Sequence, residues 1–203
     1  MLLYRPMYRH SDQMSKPPNL TEAEAIEPGL TPLYAESAAS VLDVQTPAGE
    51  KLAIDDPKLI QRLHEGLRDR HELKLIRSNR ALTDCRPVSM ISIQTVRQLS
   101  DEVEANLDKR RFRANIYVDL SSGGAFDEKR FVGNALHIGA KVVIAITDED
   151  LRCKMITLDP DTGQANPEVM RCVARKHDGK AAVYGAVLVQ GIIRPGDSIK
   201  RVQ

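Results

Sequence analysis

Apolar and polar positions along the chain alternate mostly with the short period of β-strands. Strands are predicted over residues 2–5, 40–45, 51–54, 72–77, 88–91, 115–120, 136–138, 141–147, 183–190 and 198–202. The segment 141–147 is almost continuously apolar, which is typical of a strand buried on both faces. Thr46-Pro47-Ala48-Gly49 indicates a hairpin between the second and third strands. Arg194-Pro195-Gly196-Asp197 has Pro and Gly in the order of a type II turn.

Three further stretches have helical spacing and a capping side chain at their start. Asp55 or Asp56 caps the first, Ser92 the second, and Asn166, followed by Pro167, opens the third. Three irregularly placed helices are too few for a doubly wound parallel sheet. The pattern therefore predicts a mostly antiparallel, mainly β fold with a few helices (α+β), closed as a barrel.

Length and composition fit one globular domain with an extension. The 203 residues are 42% hydrophobic, enough for a core without disulfides or a structural metal. From His10 to about Ser40 the chain is rich in Pro, Glu, Ser and Ala and has little periodicity. We therefore predict an N-terminal strand and irregular extension over residues 1–40 and a single domain over 41–203.

Charge and cysteine content exclude several classes of protein. The balance of 29 basic and 28 acidic side chains gives no field that would draw the chain to nucleic acid. No apolar stretch approaches the roughly 18 residues of a membrane span, so no membrane partner is expected. Three cysteines are few and odd in number, which favours a reducing compartment, and we predict a cytoplasmic protein.

Common catalytic and metal motifs are missing. The sequence has no G-x-S-x-G elbow, phosphate-binding loop, G-x-G-x-x-G or H-E-x-x-H motif. Neither the cysteines nor the histidines have the spacing of a zinc site. The segment that begins at Asp159 resembles a calcium loop, but Gln164 and Met170 stand where glycine and a bidentate glutamate are needed. Zinc and calcium are therefore not predicted.

Cys153 is the strongest candidate for chemistry. It lies between Arg152 and Lys154, and neighbouring cations favour the thiolate, which is both a nucleophile and a soft-metal ligand. The alternative is a small core residue whose charged neighbours point outward. Cys172 is predicted to pack in the last helix, and the role of Cys85 is open.

The second candidate is the basic run 109–113, which leads into a strand at Asn115. It holds four cations and one aromatic residue in five positions. Arginine offers a planar donor fork that fits phosphate oxygens. The alternative is a solvated connection between a helix and a strand.

Several ordered blocks in residues 40–203 resemble the MOSC domain, which is named for the C-terminal domain of molybdenum cofactor sulfurase. The blocks are R-F-R-A-N-I at 111–116, F-V-G at 131–133, L-H-I-G at 136–139, R-C at 152–153 with T-L-D-P-D-T-G at 157–163, Y-G at 184–185, and G-I-I-R-P-G-D at 191–197. The segment D-C-R-P-V-S at 84–89, followed by Ile91-Ser92, is similar to the family's stretch ahead of its central helix.

The resemblance implies a MOSC-type β-barrel and a site for the molybdenum cofactor, molybdopterin. By analogy with amidoxime-reducing members, Cys153 would be the metal ligand and catalytic residue. Arg113 and Asn115 would bind the pterin and its phosphate, and Arg152 would lie on the cofactor side. Arg86 and Ser92 match the upstream cofactor-binding segment.

The function implied is reduction of N-hydroxylated or N-oxide small molecules, with a flavin or iron–sulfur protein as electron donor. Two alternatives stay open: a non-enzymatic carrier of persulfide sulfur on Cys153, and a degenerate cofactor-binding module. Two-part members carry another β-rich half ahead of this domain, and here only residues 1–40 stand in its place. The same resemblance therefore allows that the cofactor is absent.

Overall fold

The computed structural model describes residues 3–9, 41–67, 72–76, 86–120 and 122–202. These residues form nine strands, three α-helices and three short 3-10 helices. The predicted class, mainly β with a few helices, is confirmed. Contacts divide the chain into two compact units, with the main division near residue 82.

The first unit is a small antiparallel sheet with one helix. Its strands are β1 (Arg5–Tyr8), β2 (Leu42–Gln45) and β3 (Lys51–Ala53), in that order, followed by α1 (Pro57–Glu65). The hairpin of β2 and β3 is confirmed, and Asp56 caps α1 by accepting from the Lys58 amide at 2.9 Å. Because β2 and β3 pair with β1, residues 41–67 group with the N-terminal strand. The domain boundary at residue 41 stays a prediction.

Two strand predictions in this part of the chain need correction. The first strand covers Arg5–Tyr8 instead of residues 2–5, since its partner β2 pairs with that stretch. Residues 72–76 form no strand. Among their apolar members Leu73 is half-buried, and Leu75 and Ile76 are 52% and 69% exposed, so no fully buried face supports the alternation that predicted a strand there.

The second unit is built on one six-stranded sheet. Its elements are β4 (Val88–Ser92), α2 (Ile93–Glu102), β5 (Ile116–Val118), β6 (Ala135–Ile138), β7 (Val142–Leu151), α3 (Pro167–Lys176), β8 (Lys180–Val189) and β9 (Ile199–Arg201). The strand order is β5-β4-β8-β7-β6-β9, and every pair except β4–β5 is antiparallel. The 3-10 helices Lys109–Phe112, Asp127–Phe131 and Lys154–Thr157 were not predicted.

The sheet curls so that its two edge strands line the same cavity. This cavity has a volume of about 640 Å³, with walls from β5 and β9 and a floor that includes Phe131, Leu136 and Ile138. The predicted barrel is thus a curled half-barrel. The type II turn at its rim is confirmed, because the Asp197 amide donates to the Arg194 carbonyl at 3.1 Å and Gly196 has a φ of +95°.

Both faces of β4 are buried. On one face Ile91 packs with Phe112 and the inner sides of α2 and α3, and on the other Met90 packs with residues of β6, β7 and β8. Successive residues of β4 therefore enter two different apolar clusters. No helix in the described residues combines the length and apolar character needed to cross a membrane.

The β7–β8 ladder has three irregularities, and the last two determine how β7 ends. Between Ile146 and Asp148 the extra residue is in β7, and between Glu149 and Leu151 it is in β8, where Ala182 has a φ of +84°. Asp150 lies within the last irregularity, is turned inward and is 2% exposed, while Leu151 is exposed. The residues that follow are Arg152 and Cys153.

Candidate functional site

The two motif blocks at 111–116 and 157–163 contact each other through Arg111. Its Nη1 donates to the Thr157 carbonyl and its Nη2 to Asp159 Oδ2, each at 2.9 Å. Asp159 Oδ1 accepts from the backbone amides of Asp161 and Thr162 and from the Thr162 hydroxyl. The Thr162 amide and the Arg111 charge lower the pKa of Asp159. Asp159 thus shapes the loop with Oδ1 and holds it against Arg111 with Oδ2.

Arg152 makes a second connection between the blocks. Its Nη1 is bonded to Asp150, and its Nη2 donates to the Phe112 carbonyl at 2.6 Å. The guanidinium also lies over the Phe112 ring, 5.8 Å from the centroid. The side chain is 9% exposed. The predicted cofactor-side arginine therefore ties the end of β7 to the residue before Arg113.

Asn115 belongs to the same network. Its backbone amide donates to the Ser89 carbonyl and its Oδ1 accepts from the Ser89 amide, both at 2.9 Å. Ser89 Oγ donates to Asp150 Oδ2 at 2.9 Å. Burial raises the pKa of Asp150, and Arg152 and Ser89 act against that rise. One chain of contacts thus runs from Asn115 through Ser89 and Asp150 to Arg152.

Cys153 is exposed and is the residue after Arg152. It precedes the 3-10 helix Lys154–Thr157, and its side chain makes no capping hydrogen bond there. The alternative that Cys153 is a core residue is therefore wrong. Of the two flanking cations, Arg152 is engaged with Asp150, so less of its charge acts on the thiol than the sequence predicts.

The basic run is mostly committed to internal contacts. Arg110 pairs with Asp108 and Asp161, Arg111 pairs with Asp159, and Lys109 lies 4.8 Å from the Tyr117 ring centroid. Arg113 ends the run in the left-handed region, with a φ of +51°, and is exposed. Within the described part of the chain its guanidinium has no hydrogen bond or ion pair, so it is available to an anion.

Arg86 and Ser92 lie at opposite ends of β4. Arg86 is exposed and pairs with Asp148 at 3.0 Å. Ser92 is fully buried and caps α2: its Oγ accepts from the Thr95 amide at 3.0 Å and donates to Thr95 Oγ1 at 2.8 Å. It lies three residues, or about 10 Å, along the strand from Ser89. The structure does not bring Ser92 to the cluster around Arg152, and its cofactor role stays a prediction.

Sequence reasoning missed Ser89 and Asp150, which hold the cluster together. Ser89 stands in the D-C-R-P-V-S segment, so the resemblance offered a signal for it. Asp150 offered none, because its inward orientation depends on the irregular pairing of β7 with β8. Cys85 lies outside the described residues. The cavity of about 640 Å³ is not lined by Cys153 or Arg113.

The second unit is thus a curled, mostly antiparallel domain that presents an exposed cysteine beside a loop with an available arginine. A family model described as the MOSC domain matches residues 77–200. The chain belongs to the MOSC domain family, and the resemblance given by its motifs is confirmed.

Curated relatives include molybdenum cofactor sulfurases of fruit flies. The protein of Drosophila willistoni is 27% identical over 131 residues, which cover 64% of this chain and 15% of that protein. The protein of Drosophila ananassae is 34% identical over 113 residues, covering 56% and 13%. The chain therefore spans about 15% of the length of these relatives. Among solved structures, YiiM from Geobacillus stearothermophilus aligns with a TM-score of 0.43 and 13% identity over 58% of this chain and 55% of that one.

Proposed function

We propose that this MOSC domain binds the molybdenum cofactor and reduces N-hydroxylated or N-oxide small molecules. The observation that carries the proposal is the exposed Cys153 next to the Arg152–Phe112 contact, with the available Arg113 adjoining that contact. For an N-hydroxylated substrate, two electrons and two protons convert the N–OH group into N–H and water. An external flavin or iron–sulfur protein supplies the electrons in the cytoplasm.

The exposed side chains fit such a cofactor. A thiolate is a soft ligand suited to molybdenum, and a guanidinium with no competing carboxylate suits a phosphate. Asn115 uses its Oδ1 on Ser89, and within the described residues its Nδ2 makes no hydrogen bond, so the amide retains donors. When bound, the cofactor supplies two-electron redox chemistry at its metal.

The residues of the chain divide into those that contact the cofactor and those that position them. Cys153 is the metal ligand, and Arg113 and Asn115 anchor the phosphate and pterin. Arg152 and Asp150 are positioning residues, because they form an ion pair with each other and Arg152 also donates to the Phe112 carbonyl. Arg86 and Ser92 complete the proposed cofactor-binding segment, with Ser92 acting through the start of α2.

Elemental analysis tests this proposal directly. Protein purified from a host that makes the cofactor should contain stoichiometric molybdenum. Cys153→Ala should lose most of the metal, and Arg113→Ala should lower its content more than Arg97→Ala, which removes an exposed cation on α2. The loaded protein with a chemical reductant should convert an amidoxime to the amidine. Wild-type protein that folds without molybdenum would contradict the proposal.

A second candidate is a persulfide carrier, which the exposure of Cys153 and the name of the fly relatives both favour. The Cys153 thiolate would attack the outer sulfur of a persulfide on a donor protein, forming the Cys153 persulfide and releasing the donor's thiolate. An acceptor thiolate would then attack the outer sulfur and release the Cys153 thiolate. Fast alkylation of Cys153 at neutral pH and a mass gain of one sulfur atom support this candidate, whereas slow alkylation in folded protein excludes it. If the folded protein has neither metal nor a reactive thiol, it is the degenerate cofactor-binding module.

A further inference from the structure

A second cysteine lies in a cluster of potential metal ligands remote in sequence from Cys153. Glu102 is the last residue of α2, Cys172 is in the middle of α3, and His177 follows the end of α3. Glu102 Oε2 is 3.0 Å from Cys172 Sγ and 2.7 Å from His177 Nε2. The three donor atoms all lie within 4.8 Å of one another. The packing of α2 on α3 thus gathers an oxygen, a sulfur and a nitrogen donor.

The orientation of each side chain is fixed by its surroundings. The His177 ring stacks on Phe126 with centroids 4.0 Å apart, and its backbone amide donates to the Val173 carbonyl at 3.0 Å. Glu102 and His177 are 13% and 14% exposed at their side chains, and Cys172 is buried in the core between the helices. The three donor atoms are therefore already held in place, which lowers the entropic cost of binding a metal ion.

We infer that Glu102, Cys172 and His177 form a binding site for a zinc-type divalent transition metal. Thiolate, imidazole and carboxylate are the three ligand types that Zn²⁺ takes in proteins. A hard cation such as Mg²⁺ or Ca²⁺ would instead need a set of oxygen ligands. In a tetrahedral zinc site the donor atoms are about 3.3–3.5 Å apart, so each hydrogen-bonded pair has to open by roughly 0.5 Å.

A cavity supplies the entry path and room for a fourth ligand. It has a volume of about 240 Å³ and is lined by Glu102 and Cys172 together with Glu168 and Lys176. A water molecule in this cavity can complete the coordination. Three cations line this cavity, Arg171, Arg175 and Lys176, and Lys176 Nζ is 3.9 Å from Glu102 Oε2.

Binding replaces a proton with the metal. In the metal-free protein the Cys172 thiol donates to Glu102 Oε2 at 3.0 Å. The metal–sulfur bond forms as the S–H bond breaks, and the proton leaves to solvent. No oxidant or reductant takes part.

Cobalt spectroscopy on the full chain tests the site. Co²⁺ should give wild-type protein a thiolate-to-metal charge-transfer band and the visible bands of a tetrahedral ion, and equimolar Zn²⁺ should abolish both. Cys172→Ser should lose the charge-transfer band and weaken Co²⁺ binding by more than about tenfold. His177→Gln should weaken binding to a similar degree but keep a sulfur band. Cys153→Ser and Cys85→Ser are matched thiol controls that should leave the spectrum unchanged.

The inference is overturned if wild-type protein shows no charge-transfer band, or if the band survives Cys172→Ser and disappears in Cys153→Ser or Cys85→Ser. Circular dichroism checks the fold of each variant, and Glu102→Gln, which conserves size, provides an independent loss of a ligand. The result is separate from the proposed function, because molybdenum content depends on Cys153 and cobalt binding on Cys172.

Discussion

At the scale of single residues, the candidate site is supported by one buried ion pair. Asp150 and Arg152 are two residues apart, bonded to each other, and almost completely removed from water. Ser89 and the Phe112 carbonyl satisfy further atoms of the pair, although within the described residues Arg152 Nε is buried without a partner. Such a pair adds little to the free energy of unfolding, because both charges have lost their hydration. Its main effect is to hold the end of β7 against the Phe112 carbonyl.

Removing one partner should therefore cost far more than removing both. We expect Asp150→Ala to lower the free energy of unfolding by about 3 kcal/mol, since Arg152 is left buried and uncompensated. Asp150→Ala with Arg152→Met should recover most of that loss. Urea unfolding followed by circular dichroism measures both. Arg171→Ala is the exposed control, and its pair with Glu168 should be worth less than about 1 kcal/mol. Equal losses in the single and double variants would contradict this account.

At the scale of elements, local signals predicted the helices well. Asp56, Ser92 and Asn166 all cap the helices that they were predicted to cap. Most strands of the second unit also lie where the apolar pattern indicated, because their apolar residues belong to the two buried clusters. The 3-10 helices and the irregular β7–β8 pairing could not be predicted, since each depends on a partner distant in sequence. For the same reason the motif residues were predicted while the contacts of Arg111 and Arg152 were not.

The Ser92 cap should be the most costly of the three to remove. Besides capping α2, Ser92 is linked through its hydroxyl to the buried Glu128. Ser92 Oγ donates to Thr95 Oγ1 at 2.8 Å, and Thr95 Oγ1 donates to Glu128 Oε2 at 2.9 Å. We expect Ser92→Ala to lower the free energy of unfolding by about 2 kcal/mol, against about 1 kcal/mol for Asn166→Ala at an exposed cap. Urea midpoints compare the two. A smaller loss for Ser92→Ala would show that the buried network adds nothing.

At the scale of the whole molecule, acidic side chains set the response to pH. Burial acts to raise the pKa of Glu102, but hydrogen bonds from Gln98, His177 and Cys172 outweigh it and lower the pKa to about 2. For Glu149 burial also acts upward, and bonds from Lys129 and Lys180 lower the pKa. The pKa values of Asp108 and Asp159 are lowered as well. The pKa of Asp150 is raised.

A carboxyl whose pKa is lower in the folded state stabilises the protein above its unfolded pKa, and this contribution disappears as the pH falls through the folded value. The four carboxyls with lowered pKa values outnumber Asp150, whose pKa is raised. The urea midpoint should therefore fall steadily between about pH 5 and pH 2. Glu149→Gln should lower the midpoint at pH 7 and change it little at pH 3. A midpoint that rises on acidification would show that the Asp150 contribution dominates.

The compensating irregularities of β7 and β8 make the length of the chain before Cys153 a structural requirement. Side chains alternate between the faces of a sheet, so loss of one residue from 147–149 would exchange inside and outside for the rest of β7. Asp150 would turn to solvent, Leu151 would turn inward, and Arg152 would lose its partner Asp150. We therefore expect a substitution in this stretch to weaken the site to a degree that depends on the residue, whereas deletion of one residue should disrupt the site completely.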